Sequence, residues 1–263
     1  MTRSILLMIL LALALPAAAA SYAPVGVDLP VKQVAPHTYY VLGAAGMATE
    51  NEGFVSNAGF VLTDEGVVVF DSLGSPSLAW ALRQRIARLT NKPVVKVVVS
   101  HYHADHIYGL QVFKDEGAEI LAPRGAYAYL DSPAARERLE ERRFSLEPWV
   151  NDETRLVAPD RMIEAEYRFS LGGIDFRLNY LGSAHSDGDL TMYVVQDGVL
   201  FSGDIIFEGR VPYVGDADTK RWLETLEALE TGNLVALREV AAVEESEDYS
   251  RIGRRDGQRM VSV

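Results

Sequence analysis

Cysteine is absent from this 263-residue chain. That absence removes disulfides, thiolate metal ligands and a cysteine nucleophile together, so any metal chemistry has to use histidine and carboxylate. Basic residues are scarce relative to acidic ones, 25 Lys and Arg against 37 Asp and Glu, for a formal charge of -12. Binding to nucleic acid by phosphate neutralisation is excluded on that balance, because it needs a basic face. Histidine is rare too, with five in the whole chain. Apolar residues are plentiful at 48%, enough for a core and too many for general disorder. The length suits one large domain or two small ones.

Residues 1–20 read as a signal peptide. Arg3 carries a positive charge, Ile5 to Leu15 is unbrokenly apolar, Pro16 ends the run, and Ala17 to Ala20 supply small residues for cleavage near Ala20. The run is about half the length of a membrane span. The expectation is export to a bacterial periplasm or beyond, without stable membrane insertion after cleavage. A cysteine-free chain has nothing to lose in an oxidising compartment.

Residues 21–37 hold three prolines and form an extended lead-in. Strand-like text follows at Thr38 to Leu42, Gly53 to Ser56, Ala58 to Leu62 and Val67 to Phe70, with a turn at Asp64-Glu65-Gly66. Ser75-Pro76 opens a helix whose Leu78, Leu82, Ile86 and Leu89 share a face. Val94 to Val99, interrupted only by Lys96, predicts a strand covered on both faces. Glu119 to Ala122 reads as a short strand, and Ala134 to Phe144 as a charged surface helix. Tyr167 to Leu171 and Ile174 to Tyr180 flank a Gly172-Gly173 hairpin turn, and Leu190 to Val195 and Val199 to Phe201 form another pair. Thr219 to Leu229 predicts an amphipathic helix with Trp222, Leu223, Leu226 and Leu229 on one side. The strand–helix–strand order argues for a layered α/β fold.

The chemistry is concentrated in His101-Tyr102-His103-Ala104-Asp105-His106, which leaves the end of a buried strand. Three of the five histidines fall within these six residues. Side chains two apart in extended backbone point the same way, so His101 and His103 can converge on one ion. Asp105 and His106 lie where the chain turns and can complete that site or aim at a second ion. His185 and Asp204 each follow another strand, where loops form a site on a rigid base. Asp71 closes the Val67–Phe70 strand and can hold a ligating histidine from behind. His37 has no such context and reads as a surface residue. Imidazole and carboxylate suit zinc, iron or manganese.

The motif His101-x-His103-x-Asp105-His106, with Gly182-x-x-His185 and Gly203-Asp204 downstream, resembles the metallo-β-lactamase superfamily over about Thr38 to Leu229. The resemblance implies an αββα sandwich, two mixed β-sheets flanked by helices, in a domain spanning residues 38–230. It implies one metal on His101, His103 and His185, a second on Asp105 and His106, and Asp204 bridging them. Zinc lowers the pKa of bound water to about 7, which makes a hydroxide nucleophile available; Asp105 would orient it and pass its proton to the leaving group. Asp204 is similar to the bridging carboxylate of glyoxalase II-like members, whereas class B β-lactamases usually have cysteine or serine near that position. Arg210 and Tyr213 are candidates for contact with a polar substrate group, and Tyr108 and Trp149 for the mouth.

The family usually has a further histidine shortly after its last long helix, and this chain has none after His185. Residues 231–263 form a divergent tail, acidic at Glu244, Glu245, Glu247 and Asp248, then basic at Arg251, Arg254, Arg255 and Arg259. Three readings fit: a weak or absent second metal, a tail carboxylate such as Glu244 or Asp248 in place of the histidine, or a shifted or truncated reading frame. The expected function is a secreted zinc-dependent hydrolase of a small-molecule ester, thioester, lactone or amide. The alternatives are a class B β-lactamase and a metal-binding periplasmic partner protein without turnover.

Overall fold

Two valine-rich runs become adjacent parallel strands at the centre of a sheet, β4 (Val67–Phe70) and β5 (Val94–Val98). Successive strand side chains point to opposite faces. Val67, Val69 and Val97 therefore enter a core beneath helices, while Val68, Phe70 and Val98 enter a second core between two sheets. Burying each such side chain contributes about 1.5–3 kcal/mol.

The structure is a computed structural model that describes residues 22–207, 212–215, 217–230, 253–255 and 258–260. The signal-peptide segment, Arg210, Glu244 and Asp248 lie outside the described residues. In the first sheet, β1 (Val31–Gln33), β2 (Thr38–Val41) and β3 (Ala58–Leu62) run antiparallel up to β4, and β5, β6 (Glu119–Pro123) and β7 (Arg161–Ile163) continue in parallel. The second sheet has the order β11-β10-β9-β8, from β8 (Tyr167–Leu171), β9 (Ile174–Gly182), β10 (Asp189–Val194) and β11 (Val199–Phe201). All its pairings are antiparallel, so only the first of the two sheets is mixed.

Helices α1 (Pro76–Ala87), α2 (Ala104–Ile107), α3 (Leu110–Asp115), α4 (Ala126–Leu130) and α5 (Pro133–Ser145) follow in chain order, and α6 (Thr219–Glu230) comes after β11. Ser75 caps α1, its Oγ accepting from the Leu78 amide at 3.1 Å. Leu78, Leu82 and Ile86 of α1 and Leu110 and Phe113 of α3 cover the outer face of the first sheet. On the far side, Trp222 and Leu229 of α6 pack with Ala184 and Ile205, next to Leu181 and Leu200 of the second sheet. The four layers, helix, sheet, sheet and helix, make the αββα sandwich. Among the described residues, no helix is long and apolar enough to cross a membrane.

Several local expectations fail for visible reasons. Gly53 to Ser56 is not a strand, because Glu52 (φ 55) and Gly53 (φ 86) take left-handed backbone conformations that break extension. Leu89 lies past the end of α1 and is 47% exposed, and Leu223 is 63% exposed, a quarter-turn off the buried face of α6. The tail contains an antiparallel pair, β12 (Gly253–Arg255) with β13 (Gln258–Met260).

Candidate metal centre

The site sits past the C-terminal ends of β4 and β5, where loops leave a parallel sheet. Directly after β4, Asp71 (φ 61) and Leu73 (φ 67) hold left-handed conformations that non-glycine residues seldom adopt. The turn aims the Asp71 carboxylate across to the end of β5. Its Oδ1 accepts from the Ser100 amide at 2.7 Å, and its Oδ2 accepts from Ser100 Oγ at 2.8 Å and meets His106 Nδ1 at 2.8 Å. The His106 carbonyl accepts from the Ser72 amide at 2.9 Å and from Ser72 Oγ at 2.8 Å. His106 is thereby fixed through both ring and backbone.

From Ser100 the chain stays extended to His103, the N-cap of α2, and only then turns helical. That local change places His101 and His103 on one side and swings Asp105 and His106 round the first turn. His101 Nε2 faces His103 Nδ1 at 2.9 Å, and His101 Nδ1 lies 2.9 Å from Ser100 Oγ. His185 arrives in the loop between β9 and β10, and its Nε2 lies 3.1 Å from His103 Nδ1. Asp189 shapes that loop: its Oδ2 accepts from the Ala184 and Ser186 amides at 3.1 and 2.9 Å, and its Oδ1 accepts from Ser186 Oγ at 3.0 Å.

Asp204 follows β11. Gly203 (φ 55) lets the chain pass so close to Ser100 that an added Cβ would lie 2.6 Å from the serine Cβ. Asp204 then spans the site, Oδ1 at 3.4 Å from His106 Nε2 and Oδ2 at 3.5 Å from His185 Nε2. Asp105 Oδ2 reaches within 3.5 Å of His106 Nε2. Two groups could hold a metal ion, His101 with His103 and His185, and His101 with His106 and Asp204. A cavity of about 250 Å³ opens beside His106 and Asp204, walled by Tyr40, Phe70 and Phe201.

Burial sets the two ends of the site apart electrostatically. It pushes His101 well below the usual imidazole range, assisted by repulsion from His106, and takes His185 down to about 4. Burial also opposes charge on His106, but Asp204, Asp71 and Asp105 outweigh it and hold that imidazole well above its ordinary value. Burial would raise Asp204, yet His106, His101 and His185 keep it well below the carboxylate range. His106 Nε2 is buried and lacks a hydrogen-bond partner among the described residues, while it faces two carboxylates. Neutral imidazole lone pairs and carboxylates around an unsatisfied ring nitrogen form a donor set that fits a divalent cation.

All six residues of the expected cluster, His101, His103, Asp105, His106, His185 and Asp204, come together. Asp71 stands behind His106, as its position after the strand suggested. His37 is an outlying surface residue, with Nδ1 2.8 Å from Asp197 Oδ1. Tyr213 lies over the site, its ring 6.1 Å from that of His103. Two candidates for the mouth are elsewhere: Tyr108 is fully buried in the core under the helices, and the Trp149 indole donates to the Pro24 carbonyl at 3.0 Å. Ser100 and Asp189 escaped sequence reasoning, because neither sits in a ligand motif and their contacts form only once the loops fold.

With a four-layer fold and a histidine–carboxylate cluster at one sheet edge in view, similarity to known proteins is informative. The family model described as "Metallo-beta-lactamase superfamily" matches residues 51–236, and the chain belongs to that superfamily, whose members are largely hydrolytic and usually bind zinc. It is 22% identical over 232 residues to metallo-beta-lactamase IND-1 of Chryseobacterium indologenes, covering 87% of this chain and 86% of the relative. It is 24% identical over 147 residues to the 2,4-dinitroanisole O-demethylase subunit alpha of Nocardioides sp. (strain JS1661), covering 56% of this chain but 40% of the relative. Among solved structures, a metallo-beta-lactamase from Pontibacter korlensis superposes with a TM-score of 0.59 at 20% identity, over 78% of this chain and 86% of that one. The sec-alkylsulfatase Pisa1 from Pseudomonas sp. gives 0.57 at 21% identity, over 77% of this chain and 36% of that one. At these identities the structural likeness establishes the fold.

Proposed function

We propose that the protein is an exported zinc-dependent hydrolase acting on an ester, thioester, lactone or amide of a small molecule. The observation that carries this reading is Asp204, whose two oxygens lie 3.4 Å from His106 Nε2 and 3.5 Å from His185 Nε2. One carboxylate thus reaches both parts of the cluster. His101, His103 and His185 would hold one ion, and His106 and Asp105 a second, with Asp204 between them. Zinc, when bound, supplies Lewis acidity that lowers the pKa of a coordinated water from 15.7 to about 7 and polarises an acyl oxygen.

The protein's own groups do the rest. Asp71 holds the His106 ring through Nδ1, leaving Nε2 turned to the site. Asp105, whose side chain is 35% exposed, is the group placed to exchange protons with a bound substrate. Its carboxylate would take the proton of the attacking water and deliver it to the leaving group. The walls formed by Tyr40, Phe70 and Phe201 exclude water and receive an apolar portion of the substrate. Residues 1–20 direct export and are removed near Ala20.

β-Lactam ring opening is a second reading, supported by the similarity to IND-1 across 87% of this chain. The test is elemental analysis of the purified protein followed by a screen of β-lactam, thioester, lactone and carboxylic ester substrates. About two zinc ions per chain and one preferred class are expected, with turnover abolished in His103→Ala. A protein that binds no metal, or a His103→Ala variant as active as the wild type, overturns the hydrolase reading.

A further inference from the structure

The imidazoles of the cluster are not held in the same way. His101 Nδ1 meets Ser100 Oγ, and His106 Nδ1 meets Asp71 Oδ2. Such contacts behind a ligating ring normally fix its orientation. His185 Nδ1 is buried and has no hydrogen-bond partner among the described residues. Rings press on His185 instead. Trp222 of α6 stands 5.1 Å away at 72°, edge to face, and Phe207 stands 5.8 Å away at 52°. Trp222 is itself anchored, its indole N–H donating to the Ile205 carbonyl at 2.9 Å, just past Asp204.

We propose that Trp222 is a positioning residue for His185, setting the ring's orientation toward His103 by edge-to-face packing where His101 and His106 use a hydrogen bond. The proposal rests on the metal-centre reading. It gives α6 a role beyond covering the second sheet, since the helix then fixes one side chain of the three-histidine group. Removal of the indole leaves Phe207 as the remaining aromatic wall, with no polar contact on Nδ1 among the described residues to restrain the His185 torsions.

Cobalt(II) is the probe, titrated into metal-free full-length protein and followed by its visible ligand-field absorption. Trp222→Phe retains an edge-to-face ring and is expected to keep the wild-type spectrum. Trp222→Ala is expected to alter the spectrum and weaken cobalt binding about 10- to 100-fold, the usual loss when support behind a ligand is removed. Leu229→Ala is the structural control: it loosens the same α6 cluster while leaving the Trp222 ring in place, and should lower the melting temperature while leaving the spectrum intact. A wild-type spectrum and affinity in Trp222→Ala overturns the proposal, as does an equal spectral change in Leu229→Ala. Failure of the wild-type protein to take up cobalt overturns the metal-centre reading itself.

Discussion

His101, His103 and His185 face one another as imidazoles, with burial driving His101 and His185 toward the neutral form, whereas His106, beside the same His101, is enclosed by Asp71, Asp105 and Asp204. His101 and His185 thus offer lone pairs at neutral pH with little competition from protons. The acidic group concentrates negative charge that a cation relieves. Their scaffolds differ accordingly. Asp71 ties His106 to Ser100 and β5, but His185 rests on aromatic packing and a loop wrapped round Asp189. The charged ring of His106 is held by hydrogen bonds, the neutral ring of His185 by packing.

The largest expected effect comes from erasing the carboxylate that reaches both His106 and His185. Asp204→Ala should lower turnover by about 10²–10⁴-fold, since several kcal/mol of charge stabilisation are lost, and elemental analysis should find bound zinc reduced by about one ion per chain. Full loading of the variant would break the contrast between the groups. Asp71→Ala acts most directly on the acidic group, through His106. It strands the Ser100 amide and His106 Nδ1, at about 1–3 kcal/mol for each buried group left unpaired, and should weaken one class of zinc site about 10- to 100-fold while sparing the other. Competition with a chromophoric chelator distinguishes selective from uniform loss.

Asp189 sharpens the contrast through pH. Burial raises its carboxyl to about 6, against the amide and hydroxyl donors of Ala184 and Ser186. A folded-state value above the unfolded one means the native protein binds the proton more tightly, so stability through this group falls as pH climbs from about 4 to about 6. At about 1.4 kcal/mol per unit, the total is roughly 3 kcal/mol. Asp189→Asn should remove that slope in metal-free protein, as measured by denaturant midpoints. A constant gap between wild type and variant at pH 4.5 and 6.5 counts against burial as the cause. Smallest is Ser100→Ala, which removes a hydroxyl shared by Asp71 and His101. It should cost about 1 kcal/mol of stability and weaken both groups slightly and equally.

The strands at Ala58–Leu62, Val67–Phe70, Tyr167–Leu171 and Val199–Phe201 were legible because each is an apolar or alternating run bounded by turn residues. Short helices were not. Leu110–Asp115 and Ala126–Leu130 hold too few turns for a helical period to emerge, and their stability comes from packing against the first sheet. At the site, the dense His101–His106 segment announced itself, as did the strand-end positions of His185 and Asp204. What letters could not carry was the pairing across space: the bond from Asp71 to Ser100 spans 29 residues, and the packing of Trp222 on His185 depends on where α6 folds back.

Position 71 has a consequence for any attempt to redesign the protein. Its backbone (φ 61) lies in the left-handed region that glycine, asparagine and aspartate enter most readily, and of these only aspartate brings a charge. A saturation library at this codon, sorted for zinc retention, should converge on the wild-type letter. The backbone and the carboxylate it aims at Ser100 and His106 are thus chosen together at this corner of the site.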